Sequence, residues 1–316
     1  MKLEKVSSNC RRVISEISKV IVGKENVLEM IMLGLLSSGH ILIEDYPGLA
    51  KTMIARSFAL TLGCKFKRIQ FTPDLLPADI TGTYVYDQKT GGFSLRRGPI
   101  FTHILLADEI NRASPKTQSA LLEAMQERQV TLDGKTHKLD EPFVVFATQN
   151  PIEFEGVYPL PEAQLDRFLM KLRVGYPSQE QEADIMRRRI ERMSDQFTLE
   201  EIARPSLVTE MQRAVEQVHV DDDVLGYITE IVQTTRRRAT VDVGASPRGS
   251  LALLKLSRAH ACLRGRDYVI PDDVKLVVVP ALEHRLILKA ESWVKGVKVE
   301  DTLRGILEEV PVPKVD

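Results

Sequence analysis

His40-Ile-Leu-Ile-Glu44 runs directly into Asp45-Tyr-Pro-Gly-Leu-Ala-Lys51-Thr52, and from Lys51 to Leu62 the apolar residues recur at helical spacing. A short apolar run, a glycine turn and an amphipathic stretch make a strand, loop and helix unit. The loop lies over the phosphate-binding template G-x-x-x-x-G-K-[ST], in the strand-to-helix setting that the template requires. Asp45 stands at its first glycine and Ala50 at its second, while Gly48 supplies a permissive residue inside the turn. Lys51 and Thr52 match. The chemistry calls for backbone N–H groups and a helix N-terminus facing phosphates, with Lys51 on the β/γ-phosphates and the Thr52 hydroxyl on Mg²⁺. On this segment alone, an ordinary turn with an incidental Lys-Thr pair is the competing reading.

Outward from that unit, short apolar runs recur at Lys67-Arg-Ile-Gln-Phe71, Thr102 to Ala107, Phe143 to Thr148 and Phe168 to Val174. They lack alternation, so they are expected to be buried on both faces, as strands of a parallel sheet are. Helical spacing at Asn9–Val20 and Lys24–Leu36 completes an α/β pattern. Tyr84 to Ile100, with Gly91-Gly92, and Gln129 to Leu139, with Asp133-Gly134, read as added β-hairpins. At Gly175-Tyr-Pro-Ser178 the pattern turns helical, which places a domain boundary there: residues 1–175 as the α/β domain and 176–316 as a helical one. In the second half, Ser246 is expected to cap a helix with Pro247 at its first position and Gly265 just past its end. Trp293 is expected to anchor the tail, and Val310 to Asp316 to run extended.

A length of 316 residues fits about two domains. With 43% hydrophobic and 28% charged residues the composition is that of a globular chain, not a disordered or fibrous one. The net charge of −1 gives no global field for nucleic acid or an anionic membrane. Cys10, Cys64 and Cys262 form no CxxC pair, so neither zinc nor a disulfide framework is indicated, and a reducing cytoplasm is the expectation. The start of the chain has no apolar leader, and no stretch is apolar enough for a membrane span.

Ile104-Leu-Leu-Ala-Asp108-Glu109 is an apolar strand ending in two acids. Asp108 would hold the magnesium water shell and Glu109 would polarise the attacking water as general base. A strand entering a solvated acidic turn is the bland alternative, and the Lys51-Thr52 turn upstream argues against it. The next strand ends Gln149-Asn150-Pro151. In a parallel sheet the ligand lies beyond the carboxyl ends of the strands, which would bring the Asn150 amide near the same phosphate.

These motifs together resemble the AAA+ ATPases, specifically the MoxR family. The resemblance runs through Val20-Ile-Val-Gly23, Asp45 to Thr52, Gln70 to Gly82, Arg97 to Phe101, Ala107 to Arg112, Gln149 to Pro151, Leu160 to Phe168, Ala245 to Arg248 and Ile306 to Pro313, nearly the whole chain in family order. It implies a sheet of strand order 5-1-4-3-2 and a C-terminal helical lid. Val22 and Gly23 are then adenine-side contacts, and Gly48, Leu49, Ala50, Lys51, Thr52 and Met53 the phosphate loop. Thr52 and Asp108 serve Mg²⁺, Glu109 is the base and Asn150 the sensor. Arg167 resembles the arginine finger acting on a neighbour's ATP, and Arg248 a second sensor reaching from the lid to the γ-phosphate. The resemblance further implies a homo-oligomeric ring, commonly a hexamer, that remodels or matures a client complex with a von Willebrand factor A domain partner. A DNA motor or loader, and a nucleotide-gated binding module with little turnover, are the other readings; nucleic acid is not the expected partner.

Overall fold

The computed structural model describes residues 1–89, 91–151 and 156–313. In chain order, α1 (Leu3–Ser18) and α2 (Glu25–Leu36) precede β1 (Ile41–Glu44), and α3 (Lys51–Thr61) leads to β2 (Phe66–Gln70). A short α4 (Pro77–Thr81) opens the hairpin of β3 (Gly82–Asp87) and β4 (Gly92–Arg97). Then come β5 (Ile104–Asp108), α5 (Pro115–Glu127), a second hairpin of β6 (Gln129–Leu132) and β7 (Lys135–Lys138), β8 (Val144–Gln149), α6 (Glu162–Leu165) and β9 (Met170–Leu172). Helices α7 (Gln179–Arg192), α8 (Pro205–Val215) and α9 (Asp222–Arg237) follow, with β10 (Val241–Val243), α10 (Pro247–Leu263) and α11 (Pro271–Leu282). The chain closes with β11 (Ile287–Leu288), α12 (Ala290–Val294) and α13 (Val299–Glu309).

The central sheet runs β2-β5-β8-β1-β9, with every neighbouring pair parallel. Counting only its own strands, this is 5-1-4-3-2 from the β9 edge, the order that the resemblance implied. Alternate residues of the middle strands feed two cores. Ile41, Ile43, Leu106 and Phe146 face α1, α2 and α3, while Leu42, Leu105, Val145 and Ala147 face the side covered by α5. β2 departs from expectation: Lys67, Arg68 and Gln70 are exposed, because β2 is an edge strand and not a doubly covered one.

Both expected hairpins are present as separate two-stranded sheets. Ser246 caps α10 as expected, accepting a hydrogen bond from the Arg248 N–H at 3.1 Å. The first core continues without a break into Val208, Ile231, Leu256, Val277 and Ile306, so residues on both sides of position 175 share one apolar interior. The helical half therefore packs on α1 and α2, and the sequence change at 175 marks the end of the sheet without a gap in the core. Trp293 does not anchor the tail; it is 74% exposed. Val310 does, being buried at the end of α13, while residues 314–316 of the expected extended tail lie outside the described residues. Among the described residues no helix is long and apolar enough to cross a membrane.

Candidate active site

The loop after β1 reaches α3 through two residues of positive φ, Gly48 at 83° and Ala50 at 54°. Left-handed backbone costs an alanine about 1 kcal/mol that a glycine does not pay. Ala50→Gly is therefore expected to raise the unfolding free energy measured in urea by about 0.5–1 kcal/mol; a lowered value would contradict strain at this position. Lys51 Nζ donates to the Asp45 and Tyr46 carbonyls at 2.6 and 3.0 Å, folding back over its own loop. Burial lowers its pKa, opposed by the charges of Asp45, Asp108 and Glu109.

Asp45, at the template's first glycine position, is itself structural. Its carboxylate accepts hydrogen bonds from the Tyr46, Val174 and Gly175 N–H groups at 2.9, 2.7 and 2.7 Å, fastening the loop to the segment that leaves β9. The departure from glycine thus serves a long-range tie within the chain, and the helix N-terminus lines the cavity that the acids share.

Pro47 to Met53, Asp108, Glu109 and Asn150 line one cavity of about 420 Å³, together with Arg68, Gln70 and Thr148. A second, more apolar cavity of about 400 Å³ shares Gly48, Leu49, Ala50 and Met53 with it and is walled by Val20, Ile21, Val22, Val174 and Ile185. A polar, acid-bearing chamber that shares one loop with an apolar chamber matches a ligand with a phosphate chain at one end and a flat ring at the other. Val22 lines the apolar chamber. Gly23 does not: its φ is 66°, and a Cβ there would come within 2.1 Å of Gln181 Nε2, so its glycine serves the close approach of α7.

Glu109 sits at φ 56°, ψ 50°, a strained setting for a residue with a side chain, and the kind of strain found where a group must be aimed. Its N–H donates to Thr148 Oγ1 at 2.8 Å, and that hydroxyl donates to Asp108 Oδ1 at 2.6 Å. Gln70 Nε2 and Arg112 Nη1 donate to Glu109 Oε2 at 2.5 and 2.9 Å, and Arg68 pairs with Asp108 Oδ2 at 2.7 Å. Arg68, Gln70 and Thr148 were not singled out from sequence. The signal was available for two of them: polar residues two apart at 68 and 70 lie on one face of β2, with Gln70 in register with Asp108.

Arg167 and Arg248 lie elsewhere. Both line a third cavity, of about 310 Å³, with Arg128, Lys255 and Arg285. Arg167 precedes β9, and the neighbouring Leu169 N–H donates to the His40 carbonyl at the start of β1. The phosphate loop follows the other end of β1, four residues and about 13 Å along. Arg248 does not line the phosphate cavity of its own chain; it lines the third cavity with Gly39 and His40 at the start of β1, where the packing of α10 on α1 and α2 places it. Asp166 pairs with Arg285, while the buried Nε of Arg167 has no hydrogen-bond partner among the described residues.

A parallel sheet in this order, a Lys-Thr loop opening a helix and two acids ending the third sheet strand define a nucleotide-binding ATPase core with a helical lid. Comparison agrees. The family described as "ATPase family associated with various cellular activities (AAA)" matches residues 40–170, and the AAA lid domain matches 233–306. Chaperone MoxR1 of Mycobacterium tuberculosis is 44% identical over 96% of this chain and 82% of its own. YeaC of Bacillus subtilis is 51% identical over 96% of this chain and 94% of its own. A crystal structure from Cytophaga hutchinsonii superposes with a TM-score of 0.92 at 41% identity, covering 98% of this chain and 96% of that one. The chain belongs to the MoxR family of AAA+ ATPases.

Proposed function

We propose that the protein hydrolyses ATP at the boundaries of a homo-oligomeric ring, commonly a hexamer, and uses the turnover to remodel or mature a partner protein complex. The observation that carries this is the division of the machinery between two ends of the sheet. Lys51, Thr52, Asp108, Glu109 and Asn150 line one cavity, and Arg167 and Arg248 line another some 13 Å of strand away. Phosphoryl transfer needs fixed guanidinium groups near the transferring phosphate. Arginines that cannot serve their own pocket can serve a neighbour's. Support for assembly also comes from α7, beside the apolar chamber, where Ile190 and, just past the helix end, Met193 are 74% and 85% exposed.

Within the pocket, Lys51 would leave its loop carbonyls for the β/γ-phosphates as nucleotide enters. Glu109 would take the proton of the attacking water, its carboxylate aimed by Gln70 and Arg112, and the Asn150 amide would position that water. The Thr52 hydroxyl and Asp108 carboxylate are hard oxygen donors that suit Mg²⁺. Among the described residues no group of three His, Cys, Asp or Glu is placed to hold a metal ion. When bound, Mg²⁺ supplies charge neutralisation at the phosphates.

The chaperone-like role rests on the name of the Mycobacterium relative and on family resemblance, and a von Willebrand factor A domain partner on the resemblance alone. Lys51→Ala is expected to remove measurable ATP binding while circular dichroism and the unfolding midpoint stay native. A folded Lys51→Ala chain that bound ATP at near-native affinity in calorimetry would contradict the pocket assignment.

A further inference from the structure

Arg285, on the turn after α11, has a side chain only 3% exposed; besides contacts of Nη1 with the Ala281 carbonyl and His284 Nε2, its guanidinium is spent on one short segment of the α/β half. Nε donates to Asp166 Oδ1 at 2.7 Å. Nη2 donates to the Asp166 and Phe168 carbonyls at 3.2 and 2.6 Å, and Nη1 to the Leu169 carbonyl at 3.2 Å. The adjacent His284 Nε2 adds a bond to the Phe168 carbonyl at 3.1 Å. The residue enclosed by these contacts is Arg167. The other oxygen of Asp166 accepts from Ser246 Oγ at 2.9 Å, and Ser246 caps the helix whose first turn carries Arg248.

We propose that Arg285 is a positioning residue for hydrolysis in the neighbouring subunit: with Asp166 and Ser246 it clasps the Arg167 turn to the lid, so that Arg167 and Arg248 are presented as one rigid unit. A planar fork with five donors fixes orientation in a way that a single contact does not. An arginine whose turn shifts loses much of its value at a transition state, since rate depends on placement within about 1 Å. This inference rests on the reading of Arg167 as a residue acting across the boundary.

The test is directional complementation. Arg285→Ala alone is expected to bind ATP at native affinity, to assemble as the native chain does by light scattering, and to lose turnover at least tenfold in kcat with little change in KM. Its pocket is whole, so mixing it before assembly with Lys51→Ala, whose Arg167 and clasp are intact, should restore turnover. Mixing it with Arg167→Ala should restore none, because neither parent presents a held arginine. Arg285→Lys keeps the charge and loses the fork, and should show the same directional pattern with a smaller loss, which keeps the test usable should the alanine variant fail to fold. Native kcat in a folded Arg285 variant would overturn the proposal. So would an Arg285 variant that stays inactive with Lys51→Ala while Arg167→Ala recovers with it, since Arg285 would then support only its own pocket. If Arg167→Ala also fails to recover, the cross-boundary reading itself falls and the clasp with it.

Discussion

Arg167→Ala is expected to bind ATP with native affinity and to hydrolyse it about 10³- to 10⁵-fold more slowly. Affinity should survive because Arg167 lines none of the surface around Lys51 or Val22. Turnover should fall because negative charge grows on the transferring phosphoryl group, and a fixed guanidinium from the neighbour is what meets it. The side chain is half-buried, and its carboxylate neighbour Asp166 is already held by Arg285 and Ser246, so little folding stability depends on it. Calorimetric ATP affinity beside steady-state phosphate release reads both halves of the expectation. A variant with native turnover would show that Arg167 is a surface residue of the cationic cavity and no part of the chemistry.

Glu109→Gln should produce the second large effect, a chain that holds ATP and turns it over about 10²- to 10⁴-fold more slowly. The amide has the size of the carboxylate and can still accept from Gln70 and Arg112, so the strained turn at φ 56° keeps its contacts. What is lost is the ability to take a proton. Stoichiometric retention of uncleaved ATP after gel filtration would agree with this role. Native steady-state turnover would remove Glu109 from the chemistry and leave it as an anchor for Arg112.

Gln70→Ala and Glu109→Gln touch the same carboxylate contact, and the contrast between them marks where reading a sequence ends. Asp108 and Glu109 are legible because an apolar strand ending in two acids is a local pattern. Gln70 touches Glu109 only because β2 pairs in register with β5, a long-range fact that no window of sequence contains. Likewise Lys51 and Thr52 could be read from a template, but the purpose of Asp45 could not, since its partners Val174 and Gly175 lie about 130 residues downstream. The Ser246 cap and both hairpins were legible from turn and cap chemistry. β2 was misread as doubly covered because short apolar runs look alike in the middle and at the edge of a sheet. The location of Arg248 was missed for a related reason: its sequence says that it opens a helix, and only the packing of that helix on α1 and α2 says which end of the sheet it faces.

The most direct measurement is ATP turnover in rings mixed from Lys51→Ala and Arg167→Ala chains, combined before assembly. Neither parent should turn over, the first for want of a pocket and the second for want of an arginine to offer. A mixed ring contains boundaries where the intact pocket of an Arg167→Ala chain meets the intact Arg167 of a Lys51→Ala chain, and phosphate release should reappear in proportion to such boundaries. A mixture that light scattering shows to be co-assembled, yet as inactive as both parents, would contradict hydrolysis at subunit boundaries by these residues.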